Sequence, residues 1–216
     1  MKKTAKRALS KIKKMGGTIR TSDIVKGKKN TKAESTKSKD GSKEVIHPRT
    51  LYELRDEGYL TQISRGVYQL AEKPISNPDF VTIGMRAPRA VVCLVSALAF
   101  HNITTQIPRS VSIAILKDTT IPRIDNPPIS VHKFSAESFA AGIEEHSIDG
   151  ISVKIYSTEK TLADCFKYRN KIGIDICIEA LKLYKSRKKV DVQKIIKYAK
   201  ICRVYKIMKP HLESIL

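Results

Sequence analysis

In the stretch HPRTLYELRDEGYLTQISRGVYQLA, His47 to Ala71, the residues Arg49, Tyr52, Glu53 and Asp56 recur at helical spacing away from Leu51 and Leu54, with Thr50 and Arg55 on the flanks. These side chains have the hydrogen-bonding chemistry that base edges call for. A guanidinium at Arg49 can donate twice to guanine O6 and N7, Glu53 can accept from cytosine N4, and Thr50 can meet a base or a phosphate. The unpaired N–H groups of a first helical turn add a phosphate site. Arg65, at the turn that follows, would reach a phosphate or a minor groove, with Gln62 and Ser64 as lesser donors; such contacts set position rather than read sequence. Tyr52, Arg55 and the upstream pair Arg20 and Thr21 complete the candidate contact set.

The other reactive residue types form weaker patterns. Ser157 and Lys160 in STEK match S-x-x-K, in which a lysine activates a serine one helical turn away. No S-D-N or K-T-G partner accompanies it. Ser157 or Thr158 as a helix cap, with Glu159 favoured by the helix dipole, accounts for the same residues. Cys93, Cys165, Cys177 and Cys202 lack C-x-x-C spacing and a neighbouring histidine cluster, so buried thiols are expected and no metal or cofactor is assigned.

The elements that must carry Arg49 and Arg65 follow from periodicity. From Thr4 to Met15, Ala5, Ala8, Leu9, Ile12 and Met15 share one helical face opposite Lys3, Arg7 and Lys14, with Thr4 as the expected cap and Gly16-Gly17 as the stop. A short second helix is expected after TIR, capped by Thr21 or Ser22 and contributing Ile24 and Val25. A lysine-rich segment, residues 26–45, then has almost nothing to bury and is expected to be a mobile basic insertion. Pro48 suits the first position of a third helix, which ends near Gly58. Two β-rich runs, YLTQIS and VYQLA, meet at Arg65-Gly66, where glycine allows a tight hairpin.

Three helices and a hairpin are the order of a winged helix-turn-helix, whose recognition helix enters the major groove by its amino end. The fold class expected is therefore α+β, with a winged helix-turn-helix over residues 1–73 and an α/β domain with several C-terminal helices over residues 77–216. In the second domain, Asn77 and Pro78 open one helix. RAVVCLVSALAFHNI after Pro88 reads as a second, buried helix. Strands are expected at SVSIAIL, ISVHKF, GIEEHSI and ISVKIYS, the last two joined by a hairpin at Asp149-Gly150. Helices are expected at Thr158 to Tyr168, Ile174 to Ser186, Val192 to Ile201, and from there to the end.

Charge points the same way. The 216 residues carry 41 Lys+Arg against 21 Asp+Glu, a formal net charge of +20, and residues 1–73 hold 19 of the basic residues and only 8 of the acidic ones. A field of that sign concentrates polyanions. No run approaches the roughly 18 apolar residues of a spanning helix, and the start lacks the apolar core of a secretory signal, so the expectation is a cytoplasmic protein without a membrane partner.

The segments GGTIRTSDIV, HPRTLYELRDEGYLTQISRGVYQLAE, SNPDFVTIGMRAPRAVVCLVSALAFHNITTQIP, PPISVHKFS, GIEEHSIDGISVKIYSTEKTLADCFKYRNKIGIDICIEAL and ICRVYKIMKPHLES, in this order, resemble the AbiEi-type antitoxins of bacterial type IV toxin–antitoxin systems. The likeness spans nearly the whole chain. It implies a winged helix that binds inverted repeats in the promoter of its own operon and represses it. It also implies a C-terminal domain that counteracts a nucleotidyltransferase-like toxin, usually without a lasting complex. Two copies could pair on the DNA, where the protein would be nucleoid-associated, and the sequence is silent on whether they touch. The long insertion before Ile46 departs from the short turn usual in the family. Asp164, Lys167, Tyr168, Arg169 and Lys171, a polar stretch at a helix end, are the candidate antitoxin surface. No catalytic residue is assigned. The competing readings are an enzymatic C-terminal domain acting on nucleotides or on a protein, and a general nucleic-acid binder using the lysine-rich segment.

Overall fold

The computed structural model describes residues 3–14, 16–21, 46–64, 66–72, 77–187 and 190–215. The architecture is mixed α+β. Contacts divide the chain into two compact units, one holding the described residues up to Pro78 together with Ile148–Ile151, the other Asp79–Ser147 with Ser152–Leu216. The sequence boundary at residues 73–77 omits that four-residue segment.

The first unit contains α1 (Lys3–Lys14), β1 (Thr18–Arg20), α2 (Pro48–Asp56), β2 (Leu60–Ser64) and β3 (Val67–Leu70). Ala5, Ala8 and Ile12 of α1 are buried with Leu51 and Leu54 of α2 against Ile19, Leu60, Tyr68 and Leu70. Burial of each leucine removes enough apolar surface to contribute about 1.5–3 kcal/mol. Thr4 lies inside α1, which begins at Lys3, and is not its cap. The strands form an antiparallel sheet in the order β1-β3-β2. TIR, to which the sequence pattern assigns no element, is a strand because its backbone pairs Thr18 with Gln69 and Arg20 with Val67, a partnership about fifty residues away that local pattern does not announce. The expected helix beyond Thr21, the insertion 26–45, Arg65 and residues 73–76 at the expected domain boundary lie outside the described residues.

The second unit is built on a five-stranded sheet in the order β6-β5-β4-β8-β7. These strands are β4 (Val91–Val92), β5 (Val111–Leu116), β6 (Ile129–Phe134), β7 (Ile143–Ile148) and β8 (Ile151–Tyr156). β4 runs antiparallel to β5 and parallel to β8, and β5 runs parallel to β6 from Val111↔Ile129 to Leu116↔Phe134. Asp149 and Gly150, at φ 49 and φ 80, form the expected tight hairpin between β7 and β8. The helices are α3 (Pro78–Arg86), α4 (Leu94–Phe100), α5 (Ala136–Ala140), α6 (Thr158–Lys167), α7 (Arg169–Ile172), α8 (Ile174–Lys185), α9 (Val192–Ile201) and α10 (Tyr205–Ile215).

The long helix expected after Pro88 is corrected. Val91 and Val92 form a fully buried strand between β5 and β8, and the helix begins only at Leu94. An apolar run buried all round fits a central strand as well as a core helix. The switch is made by Leu94 at φ 48, a left-handed conformation that leucine rarely takes. Helix α6 packs against α4, α8 and α9 at the centre of this core. No helix among the described residues is long and apolar enough to cross a membrane.

Candidate nucleic-acid interface

Helix α2 is positioned by what its sequence buries and how it starts. Leu51 and Leu54 are fully buried, which turns Arg49, Tyr52 and Asp56 outward. His47 caps the helix: its Nδ1 accepts from the Arg49 N–H at 3.2 Å, ahead of Pro48 in the first turn. The carboxyl end closes with Glu57 N–H donating to Glu53 and Tyr59 N–H donating to Leu54, around Gly58 at φ 79.

Arg49 projects into solvent, its side chain 82% exposed, with Nε 3.4 Å from Glu53 one turn on. An exposed i,i+4 pair contributes about 0.3–0.5 kcal/mol, whereas a bidentate arginine–guanine contact discriminates by about 1–3 kcal/mol. The intramolecular pair therefore orients Arg49 without locking it. Tyr52 packs edge-on against Tyr68, 6.1 Å between ring centres, and keeps an exposed side. Burial of the Tyr68 hydroxyl pushes its pKa up.

Other members of the candidate set act inside the unit. Arg55 donates to Asp56 Oδ1 from Nε at 2.9 Å and Nη2 at 2.7 Å, and from Nη1 to Gln62 Oε1 at 3.3 Å. Its guanidinium lies over the Tyr52 ring at 5.6 Å, and the bond to Asp56 raises its pKa. Arg55 and Gln62 thus brace α2 against β2. Thr21 donates its N–H to Gly66 O at 2.9 Å and its hydroxyl to the same carbonyl at 3.3 Å, holding the hairpin end. Gly66 has φ 78, and a Cβ there would stand 2.7 Å from the Thr21 hydroxyl. Arg20 is half-buried at the end of β1. Ser64 pairs through its backbone with Val67 after a register shift, and its side chain lies outside what is described.

A groove of about 220 Å³ opens beside the α2 amino end, lined by Thr4, Arg7, Ala8, Lys11, Ile46, His47 and Thr50. It brings Thr50 together with two cations of α1. Arg7, opposite the apolar face of α1 in the sequence pattern, lines this groove, and so does His47, whose capping role is not legible locally because histidine is not among the usual capping residues.

The candidate surface of the second unit is changed by one correction: Asp164 is not on the surface. It is fully buried, and Lys160 Nζ, equally buried, donates to both of its oxygens at 2.6 Å. The Cys202 thiol donates to Oδ1 at 3.2 Å. Burial pushes the Asp164 pKa up, and Lys160 pulls it back. Lys160 lies 4.3 Å from the Tyr156 ring centre and 5.0 Å from that of Phe134. Ser157 caps α6 by accepting from the Lys160 N–H at 3.3 Å, so the serine serves the helix end while the lysine amine serves Asp164. Lys167 and Lys171 are exposed, and Tyr168 and Arg169 are half-buried. Arg169 Nη1 donates to Phe166 O at 3.1 Å. The four cysteines are free and buried.

No family model and no curated protein matches the chain. Among solved structures, it is similar to the crystal structure of the RV2827C protein from Mycobacterium tuberculosis, with 13% identity and a TM-score of 0.53, covering 99% of this chain and 82% of that one. At that identity the likeness concerns the fold alone.

Proposed function

We propose that the chain is a DNA-binding autorepressor and antitoxin of the AbiEi type, acting in the cytoplasm on inverted repeats of its own promoter. The first unit is a winged helix in this reading, with α2 as the recognition helix and β2–β3 as the wing. The observation that carries it is the 82% exposed Arg49 side chain at the amino end of a helix whose other face is fixed by two buried leucines. The strand order β1-β3-β2 and the excess of positive charge over residues 1–73 agree with it. The antitoxin half rests on the sequence resemblance, with a nucleotidyltransferase-like toxin as the functional partner.

Fluorescence anisotropy on the upstream promoter duplex tests the DNA half. Arg49→Ala is expected to weaken specific binding by about 1–3 kcal/mol, with a smaller loss on scrambled duplex. Equal affinity of the two proteins for the promoter removes α2 from the interface. Growth rescue on co-expression with a neighbouring nucleotidyltransferase-like gene tests the antitoxin half, and no rescue rejects it.

A further inference from the structure

The carboxyl end of α6 carries an aromatic ladder. Tyr156 stacks on Phe134 at 5.8 Å and 8°, and Phe134 stacks on Tyr168 at 5.7 Å and 14°. The inner rungs are buried and seated over the Lys160 ammonium. The outer rung, Tyr168, is half-buried, with the His132 ring edge-on at 5.2 Å. Two exposed ammonium groups lie over the ladder, Lys171 Nζ over the Tyr168 ring at 5.9 Å and Lys167 Nζ over the Phe134 ring at 5.6 Å. Among the described residues neither lysine has a carboxylate within 4 Å.

A partly exposed ring held in a fixed plane, bordered by two cations with no carboxylate within 4 Å among the described residues, matches one ligand chemistry: a flat π-system carrying phosphates. We propose that Tyr168, Lys167, Lys171 and His132 form a second nucleic-acid site that takes an unpaired nucleotide of a single strand, the base stacking on Tyr168 and its phosphates meeting the lysines. Duplex is excluded as occupant because its bases cover one another's faces. An acidic polypeptide would satisfy the lysines and leave the ring unused. The site lies wholly in the second unit and does not depend on the reading of α2.

Anisotropy of the full chain with a labelled ten-nucleotide single strand, as RNA and as DNA, tests this alongside an abasic strand of equal charge and a polyglutamate peptide. Tyr168→Phe is expected to bind like the unaltered protein, and Tyr168→Ala roughly 5- to 100-fold more weakly. Lys167→Gln with Lys171→Gln, both exposed, should lower the salt slope by about 1.4, the loss of two single-strand phosphate contacts. The His132 ring resonance should shift on addition of the strand. Three results overturn the site: equal affinity of Tyr168→Phe and Tyr168→Ala with an unchanged salt slope, an abasic strand bound as well as the base-bearing one, or polyglutamate bound in preference to the strand. Arg49→Ala is read on promoter duplex alone, so failure of the α2 reading leaves the Phe-against-Ala comparison intact.

Discussion

Replacing Lys160 with methionine keeps most of the side-chain volume and removes the ammonium that both Asp164 oxygens accept from at 2.6 Å. What remains is a fully buried carboxylate with the Cys202 thiol as donor at 3.2 Å. Breaking a buried pair from one side costs about 3–5 kcal/mol, because the survivor must stay charged without solvent or be held protonated above its ordinary pKa; removing both charges is often neutral or better. Lys160→Met should therefore lower the melting temperature by about 6–20 °C, at 2–4 °C per kcal/mol for a chain of this size. Lys160→Met with Asp164→Leu should recover most of that loss. The sign with pH follows from Asp164. Its folded pKa is already raised by burial and restrained by Lys160, so it rises further in the variant. Below the ordinary aspartate range both folded and unfolded carboxyls are protonated and the variant's deficit is small. As pH rises, the unfolded carboxyl ionises first and stability falls, by up to about 1.4 kcal/mol per pH unit, until the folded one ionises. Urea unfolding followed by tyrosine fluorescence from pH 5 to 8 measures this. A deficit that is flat with pH, or a double variant as unstable as the sum of the singles, refutes the reasoning.

Gly142→Ala should destabilise the second unit by more than 1 kcal/mol, as read by thermal unfolding, because Gly142 has φ 70 and a Cβ there would meet Lys160 Cβ at 2.7 Å. The thiols should resist a disulfide reagent at pH 8 until denaturant is added, since burial pushes Cys93 and Cys165 well up and Cys177 and Cys202 up to about 12; rapid labelling of the native protein would contradict it. Leu54→Ala should cost about 2–5 kcal/mol and weaken duplex binding in parallel, because that fully buried leucine fixes the orientation of α2.

Periodicity made the helical faces readable: the inward turn of Leu51 and Leu54, the Ser157 cap and the span Val192–Ile201 all follow from local pattern. What stayed hidden depends on distant partners. β1 has three residues and exists through its pairing with β3, and β4 has two and exists between β5 and β8. Leu94 turns the chain in a conformation its residue type disfavours, so nothing local marks the switch. Lys160 and Asp164 have the i,i+4 spacing of a solvated surface pair, and only the packing of α6 among its neighbours buries them. At the candidate interface, the sequence supplied the exposed face of α2 but not the internal engagement of Arg55, Gln62 and Thr21, which requires the hairpin to be in place.

The central proposal is that the amino end of α2 enters a major groove with Arg49 on a guanine. Methylation interference measures this directly, since a methyl group on guanine N7 blocks that contact. The account predicts at least one guanine whose methylation abolishes promoter binding by the unaltered protein and has no effect on binding by Arg49→Ala. An interference pattern identical for the two proteins contradicts it.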